Sequence, residues 1–305
     1  MKNQIKYIIV GLILVFLITG ENLAQVDPQI SQPWMRKLVF NPAAIQKTEG
    51  LNIYGLAREQ WTGFDKAPSG QVLGLSKYFE RAHVGIGLSL INDKAGVSSF
   101  QNIKLNYSYD FNISKDLNLT FGAGMGIIHH QIDGSGLIYD DPSDPDAFQT
   151  NEQQTKADFD LGFELNYQNI RAGFSSLHLT KSNNKATNFD IPRHYFFYMN
   201  YSADLGGGFL LSPGFMARNS GKILHYGFSL VGGYGDLIMA GLDYRINDAM
   251  AIVTKLRITP EIQIGYSYDL DVGTVKTYST GSHEISLITH ISSGERTLKS
   301  PRFFD

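Results

Sequence analysis

Arg58-Glu59-Gln60-Trp61 sets a cation, a carboxylate, an amide and an indole side by side, and Asp65, Lys66 and Pro68 come before Gly70. A cluster of that kind could serve acid–base or anion-binding chemistry. Other stretches also carry reactive types. His129-His130 are adjacent, and adjacent residues on a strand point to opposite faces, so the two do not share one metal ion. His283-Glu284 has Leu287 where a zinc helix needs its second His. Asp140 to Asp146 (DDPSDPD) is acidic like a calcium loop, yet it lacks the EF-hand spacing and closing Glu, and its two prolines mark a solvated loop. Gly122, Gly124 and Gly126 alternate within a strand pattern with no helix after them, which makes them a small-residue lumen face, not a dinucleotide fingerprint. GFSSL (Gly173 to Leu177) lacks the second Gly of a nucleophile elbow, and Gly221-Lys222 has no Gly five residues upstream for a phosphate loop. No residue pattern supports an enzyme, a cofactor or a metal.

The chain that must position these residues has 305 residues, 31 Gly, 19 Phe, 16 Tyr and no Cys. Without Cys there is no disulfide, thiolate-metal or cysteine-nucleophile chemistry. Lys2 and Lys6, an apolar run from Tyr7 to Ile18, and Glu21-Asn22-Leu23-Ala24 read as a secretory signal over residues 1–24, with the cut at Ala24-Gln25. Setting aside Lys2, Lys6 and Glu21 leaves 24 Lys and Arg against 28 Asp and Glu, a formal charge of −4. That mild acidity gives no reason to expect nucleic acid.

Period two dominates the remainder of the chain. Ile103, Leu105, Tyr107, Tyr109 and Phe111 alternate with Asn102, Lys104, Asn106, Ser108 and Asp110, and the same alternation recurs at 117–127, 158–167 and 262–271. Fourteen strands are predicted, at 51–61, 70–80, 82–92, 101–113, 117–133, 156–168, 170–182, 194–205, 209–218, 222–235, 237–247, 249–257, 260–272 and 281–292. Most are longer than the 5–6 residues usual in globular sheets and suit the roughly 9–11 a membrane strand needs. Tyr and Phe gather near strand ends, as an aromatic girdle requires. Long connections at 62–69, 93–100, 134–155, 183–193 and 273–280 alternate with short ones such as Glu80-Arg81, Ser114-Lys115-Asp116 and Gly206-Gly207-Gly208. The expectation is an all-β protein: a transmembrane antiparallel β-barrel of about fourteen strands, with short periplasmic turns and longer extracellular loops. Strand length and loop alternation disfavour a secreted carbohydrate-binding sandwich.

In that frame Arg58 to Thr62 closes the first strand and Gly63 to Ser69 is the first outward loop, with Trp61 at the membrane–water boundary. The expected organisation is a signal peptide at 1–24, a periplasmic or plug-like segment at 25–50, the barrel at 51–292 and a periplasmic tail at 293–305. Residues 25–50 lack alternation, and Leu38, Val39 and Phe40 beside Asn41-Pro42 offer an apolar anchor for a segment lying beneath or inside the lumen. The tail carries Lys299, Arg302, Phe303 and Phe304. An Arg with aromatic neighbours is a common interface anchor, so these four are the expected partner-binding residues.

With the strands laid out, the chain resembles the PorP/SprF family of type IX secretion membrane proteins. The resemblance rests on DPQISQPW (Asp27 to Trp34), FNPAAI (Phe40 to Ile45), REQWTGFDKAP (Arg58 to Pro68), VGIGLSLINDKAG (Val84 to Gly96), RHYFFYMNYSADL (Arg193 to Leu205), IGYSYDL (Ile264 to Leu270), GSHEISL (Gly281 to Leu287) and KSPRFF (Lys299 to Phe304), in that order. QPWMRKLVFNPAAI departs from the family's more regular aromatic and aliphatic stretch before NPA. The resemblance implies a non-enzymatic outer-membrane barrel of Bacteroidetes, working in type IX secretion and often in gliding motility. Its implied partners are a secreted substrate or the C-terminal region of an adhesin, a periplasmic secretion or motility apparatus, and outer-membrane lipid. FNPAAI is also similar to the NPA element of the fatty-acid transporter family, whose barrels have the same strand count. That similarity implies the alternative of an outer-membrane transport channel for hydrophobic or small solutes.

Overall fold

A computed structural model of the chain describes residues 29–32, 37–48, 50–136, 151–180, 191–221, 223–277 and 279–292. The expected signal segment, Asp140 to Asp146, and Lys299, Arg302, Phe303 and Phe304 lie outside the described residues. The strands are β1 (Leu51–Glu59), β2 (Ser69–Phe79), β3 (Val84–Ala95), β4 (Ser98–Asn112) and β5 (Leu117–Asp133). They continue with β6 (Asn151–Tyr167), β7 (Ile170–Leu177), β8 (His194–Tyr201), β9 (Ala203–Gly206) and β10 (Phe209–Ser220). The last are β11 (Ile223–Tyr234), β12 (Ile238–Arg245), β13 (Ala249–Arg257), β14 (Ile262–Asp271) and β15 (Ser282–Ile291).

Every pairing is antiparallel and, with β8 and β9 taken as one stave, between neighbours in sequence, and β15 returns to β1 in register from Leu51 opposite Ile291 to Glu59 opposite His283. Closure leaves no sheet edge for lipid to meet, which is the condition for strands in a bilayer. Segments β8 and β9 both pair with β10, so they form one stave and the barrel has fourteen. The register from Gly214 opposite Asn200 carries Pro213 to the level of Tyr201, where the stave breaks. Proline has no N–H to give the ladder there.

The burial pattern is inside-out. In β4 the polar Asn102, Lys104, Asn106, Ser108 and Asp110 are buried, while Ile103, Leu105 and Tyr107 are each 50% exposed or more. A soluble sandwich would bury the apolar set; an apolar outer face with a polar interior belongs in lipid. At 17 residues, β5 and β6 exceed a membrane crossing. Their outward face changes from Phe121, Met125 and Ile127 to His129, Gln131, Asn151, Gln153 and Thr155 at the long-loop end. That polar half stands beyond the apolar band.

The fourteen-strand expectation holds, with corrections at four outward ends. The connection expected at 93–100 is the turn Gly96-Val97, where Gly96 takes φ +61° and Ala95 pairs with Ser98. Strand β6 begins at Asn151, five residues before its predicted start, and β7 stops at Leu177. The first strand ends at Glu59, not Thr62: the N–H of Gln60 donates to the carbonyl of Pro68, and Trp61 turns out of the ladder at φ +52°. Beyond it, Thr62 exchanges backbone hydrogen bonds with Gly281 and Thr280, so the first outward loop is tied to the last.

Candidate functional site

The interior of the barrel holds part of the chain itself. Residues 29–32 lie near the long-loop end, 37–45 at mid-height, and Lys47 near the short-turn end, just before β1. Each level is fixed by inward-facing side chains from the strands.

At the long-loop end the side chain of Arg58 answers for the REQW stretch. One guanidinium nitrogen donates to Asp269 Oδ2 at 2.7 Å and the other to Ser31 Oγ at 2.6 Å, with Glu284 Oε2 at 3.4 Å. Ser31 completes the ring: its N–H donates to Glu284 Oε2 at 2.9 Å and its hydroxyl to Asp269 Oδ2 at 2.7 Å. Arg245 reaches the same Asp269 oxygen at 2.6 Å and binds Asp248 at 2.7 Å, and Asp248 also accepts from the Gln29 amide. Gln32 accepts from Ser286 at 3.1 Å. Arg58, Asp269 and Glu284 are all buried. Taking such charges out of water is costly, and their pairing recovers that cost only in a defined geometry, so the ring specifies one position for residues 29–32 more than it adds stability.

At mid-height the side chain of Asn41 bridges loop and wall. Its amide nitrogen donates to the Phe163 carbonyl at 3.0 Å and to Tyr198 Oη at 3.2 Å, while its oxygen accepts the Ala43 N–H at 2.9 Å. Tyr198 in turn donates to Glu164 at 2.6 Å. The turn fits because Gly122 and Gly162 sit directly opposite each other on β5 and β6. A Cβ on Gly162 would lie 2.1 Å from Asn41 Oδ1, and one on Gly122 would lie 2.2 Å from the Ala43 nitrogen. Real atoms do not approach so closely. Phe40 closes the other side, its ring centroid 5.1 Å from that of Phe196.

Lys37 lies just below. Its ammonium donates to Asn200 Oδ1 at 2.5 Å and sits 4.3 Å from the Tyr198 ring centroid, a cation–π distance. Burial is the main influence on it and lowers its pKa to about 7; Glu164 opposes that fall and Arg171 adds to it. Lys47 pairs with Asp110 at 2.9 Å toward the short-turn end. Beneath this roof is a cavity of about 1560 Å³, framed by the turns at Glu80–Ala82 and Asp236 and by Pro260 and Glu261.

A second charged cluster stands in the wall. Asp158, Asp160 and His178 bring three ligand-type atoms within 4.8 Å. Lys104 Nζ lies 2.8 Å from Asp158 and 2.5 Å from Asp160, where a metal ion would have to sit. His178 Nδ1 is 2.9 Å from Asp158 Oδ2, and the backbone N–H of His178 donates to Asp160 Oδ1 at 3.0 Å. The lysine ammonium does a metal's electrostatic work here.

Of the other residues singled out in sequence, His129 and His130 face opposite ways, the first 2.8 Å from Thr155 Oγ1 and the second 2.8 Å from Ser98 Oγ. His283 turns outward to Tyr266, while Glu284 turns inward to Arg58. Gly122 and Gly124 are buried on the lumen face; Gly126 is kept small by the Ile103 carbonyl, 2.0 Å from where its Cβ would be. What sequence reasoning missed is convergence. Ser31, Arg58, Asp269 and Glu284 come from four separate motifs, as do Asn41 and Tyr198 from two more, and all meet on the segment inside the lumen. The available signal was a charge at an inward-facing position of an otherwise membrane-length strand.

The family model for type IX secretion system membrane protein PorP/SprF matches residues 22–288. No curated protein sequence matches the chain. Similar solved structures include the outer membrane protein Omp33 of Acinetobacter baumannii, with a TM-score of 0.50 and 8% identity over 80% of this chain and 98% of that one. The Ralstonia pickettii toluene transporter TbuX has a TM-score of 0.52 and 10% identity, over 90% and 96% of the two chains. The monoaromatic hydrocarbon channel CymD has a TM-score of 0.50 and 14% identity, over 88% and 95%. At such identities the likeness shows the fold, an outer-membrane barrel, and nothing finer.

Proposed function

The chain belongs to the PorP/SprF family of type IX secretion system membrane proteins, and on that premise we propose that it is a non-enzymatic scaffold that supports export or cell-surface retention of a secreted, adhesin-like protein. Membership makes it an outer-membrane component of type IX secretion. One observation supports holding over conducting: the family-like motifs at Ser31, Asn41, Arg58, Tyr198, Asp269 and Glu284 are spent on fixing the chain's own segment inside the lumen. Contact with the periplasmic apparatus is assigned to the tail at 293–305, through Lys299, Arg302, Phe303 and Phe304, and service to gliding motility is part of the same proposal.

The second reading is a channel for hydrophobic or small solutes, as the names of TbuX and CymD describe for those proteins. The lumen argues against it here, because Asn102, Lys104, Asn106, Asp158 and Asp160 face inward where an apolar solute would need apolar walls.

The test is crosslinking in intact cells, then purification from outer membranes and mass spectrometry, with the full chain and with residues 299–305 removed. The full chain should retain secretion-apparatus proteins and at least one exported protein, and the truncated chain should insert normally but lose the apparatus. Recovery of no type IX protein with the full chain would overturn the proposal.

A further inference from the structure

The chamber below the Asn41 turn is closed above by residues 37–45 and open at the short-turn end, which faces the periplasm by the usual polarity of such barrels. At about 1560 Å³ it exceeds the roughly 300–1,000 Å³ of small-molecule pockets, and its walls are an even mix of polar and apolar where those are mainly apolar. Seven Lys and Arg side chains line it against five Asp and Glu. The chain as a whole is at −3. Three of the five acids pair with three of the seven cations, Asp110 with Lys47, Glu164 with Arg171 and Asp236 with Arg257, which leaves four cations to two acids. The positive surplus is therefore local to this cavity and runs from Lys77 and Arg81 at the mouth to Lys37 in the roof.

Two further atoms point to a bound chain. Asn52 is buried and lines the chamber; its oxygen accepts from Thr48 at 2.9 Å, but its amide nitrogen has no partner among the described residues. Gln46 Oε1, which also lines the chamber, is likewise buried and unpaired among the described residues. Leaving a buried donor or acceptor unmade costs about 1–3 kcal/mol. A peptide group carries the complementary acceptor and donor, its C=O and its N–H.

We infer that this chamber is a receptor site for an extended, acidic polypeptide segment entering from the periplasmic side. The inference rests on the barrel's being a holder, and it gives the holder a place to grip. The segment's carboxylates would meet Arg81 and Lys77 first and Lys37 last, while its backbone pairs with Asn52 and Gln46. Low ionic strength favours such entry, since the field of a cationic cleft is screened within about 10 Å at 0.1 M salt.

The test uses the full-length protein in detergent and a fluorescent twelve-residue peptide of Gly, Ser, Asp and Glu. The control peptide has Asn and Gln in place of the acids. The acidic peptide should bind, weaken with salt, and lose roughly tenfold in affinity to the mouth variant Lys77→Glu/Arg81→Glu. Asn52→Ala should weaken both peptides alike. A heat-dependent gel shift shows that each variant is still a barrel. Equal binding of acidic and amide peptides, or no change in the mouth variant, would overturn the proposal. So would citrate or a nucleoside triphosphate competing as tightly as the peptide does, since the site would then be for small anions. Any of these failures would leave the cellular crosslinking result untouched, so the two proposals fail separately.

Discussion

Arg58, Gly162 and Lys37 each fix one level of the segment in the lumen, and each makes a separate prediction. Arg58→Met leaves Glu284 buried without its cation and removes one of two from Asp269. Breaking a buried pair from one side costs about 3–5 kcal/mol. The midpoint of urea unfolding from lipid vesicles should fall accordingly, and Arg58→Met with Glu284→Gln should recover part of the loss. An unchanged midpoint in the single variant would mean that the ring does not hold residues 29–32. Gly162→Val puts side-chain carbon where Asn41 Oδ1 now lies, so the wall and the turn cannot both keep their places. The barrel should still insert, and trypsin added from the short-turn side should cut after Lys37 and Lys47 much faster than in the parent protein. Lys37 predicts a pH dependence. Its pKa falls from an ordinary 10.5 when displaced to about 7 when seated, chiefly through burial. Below 7 it is charged in both states and the full cost of burying the ammonium is present. As pH rises from 7 toward 10.5 the seated state sheds its proton first, so seating strengthens by at most about 1.4 kcal/mol per pH unit. A spin label at Ala44→Cys should lose mobility over that range, and Lys37→Met should flatten the response.

At the scale of elements, the β5–β6 hairpin and the lumenal segment behave differently in sequence and in structure. Alternation of apolar and polar residues made the strands legible, because lipid demands an apolar outer face at every second position. It failed where that demand ends. Asn92-Asp93-Lys94 and Asn151 to Thr155 lie past the apolar band, where both faces are polar, so β3 and β4 ran on to the Gly96-Val97 turn unseen and β6 began five residues early. The site was less legible than the fold. That Arg58 faces the same side as Gln60 could be read from parity, but its meeting with Asp269 and Glu284 depends on closure between β15 and β1, which joins residues more than two hundred positions apart. No local pattern carries that information. The segment at 37–48 has no periodicity because it takes its form from the wall, through the Gly122–Gly162 seat and Tyr198. An epitope tag after Asp144, in the connection between β5 and β6, should be stained on intact cells. Staining only after permeabilisation would invert the orientation and put the chamber at the cell surface.

For the whole molecule, fourteen antiparallel staves close on themselves, carry an apolar outer face and contain a polar interior occupied by the chain's own residues. Closure accounts for residence in the outer membrane, and folded and boiled samples should migrate differently on a gel. On the proposed reading, occupancy of the lumen suits a barrel that positions other proteins more than one that conducts solutes. A strain lacking the gene and a strain carrying the full chain, compared by labelling surface proteins on intact cells and quantifying them by mass spectrometry, test that claim most directly. A defined subset of type IX substrates should vanish from the surface of the deletion strain and return with the full chain, while growth on hydrophobic solutes stays the same. Unchanged display of every type IX substrate, together with a growth defect on a specific solute, would contradict it.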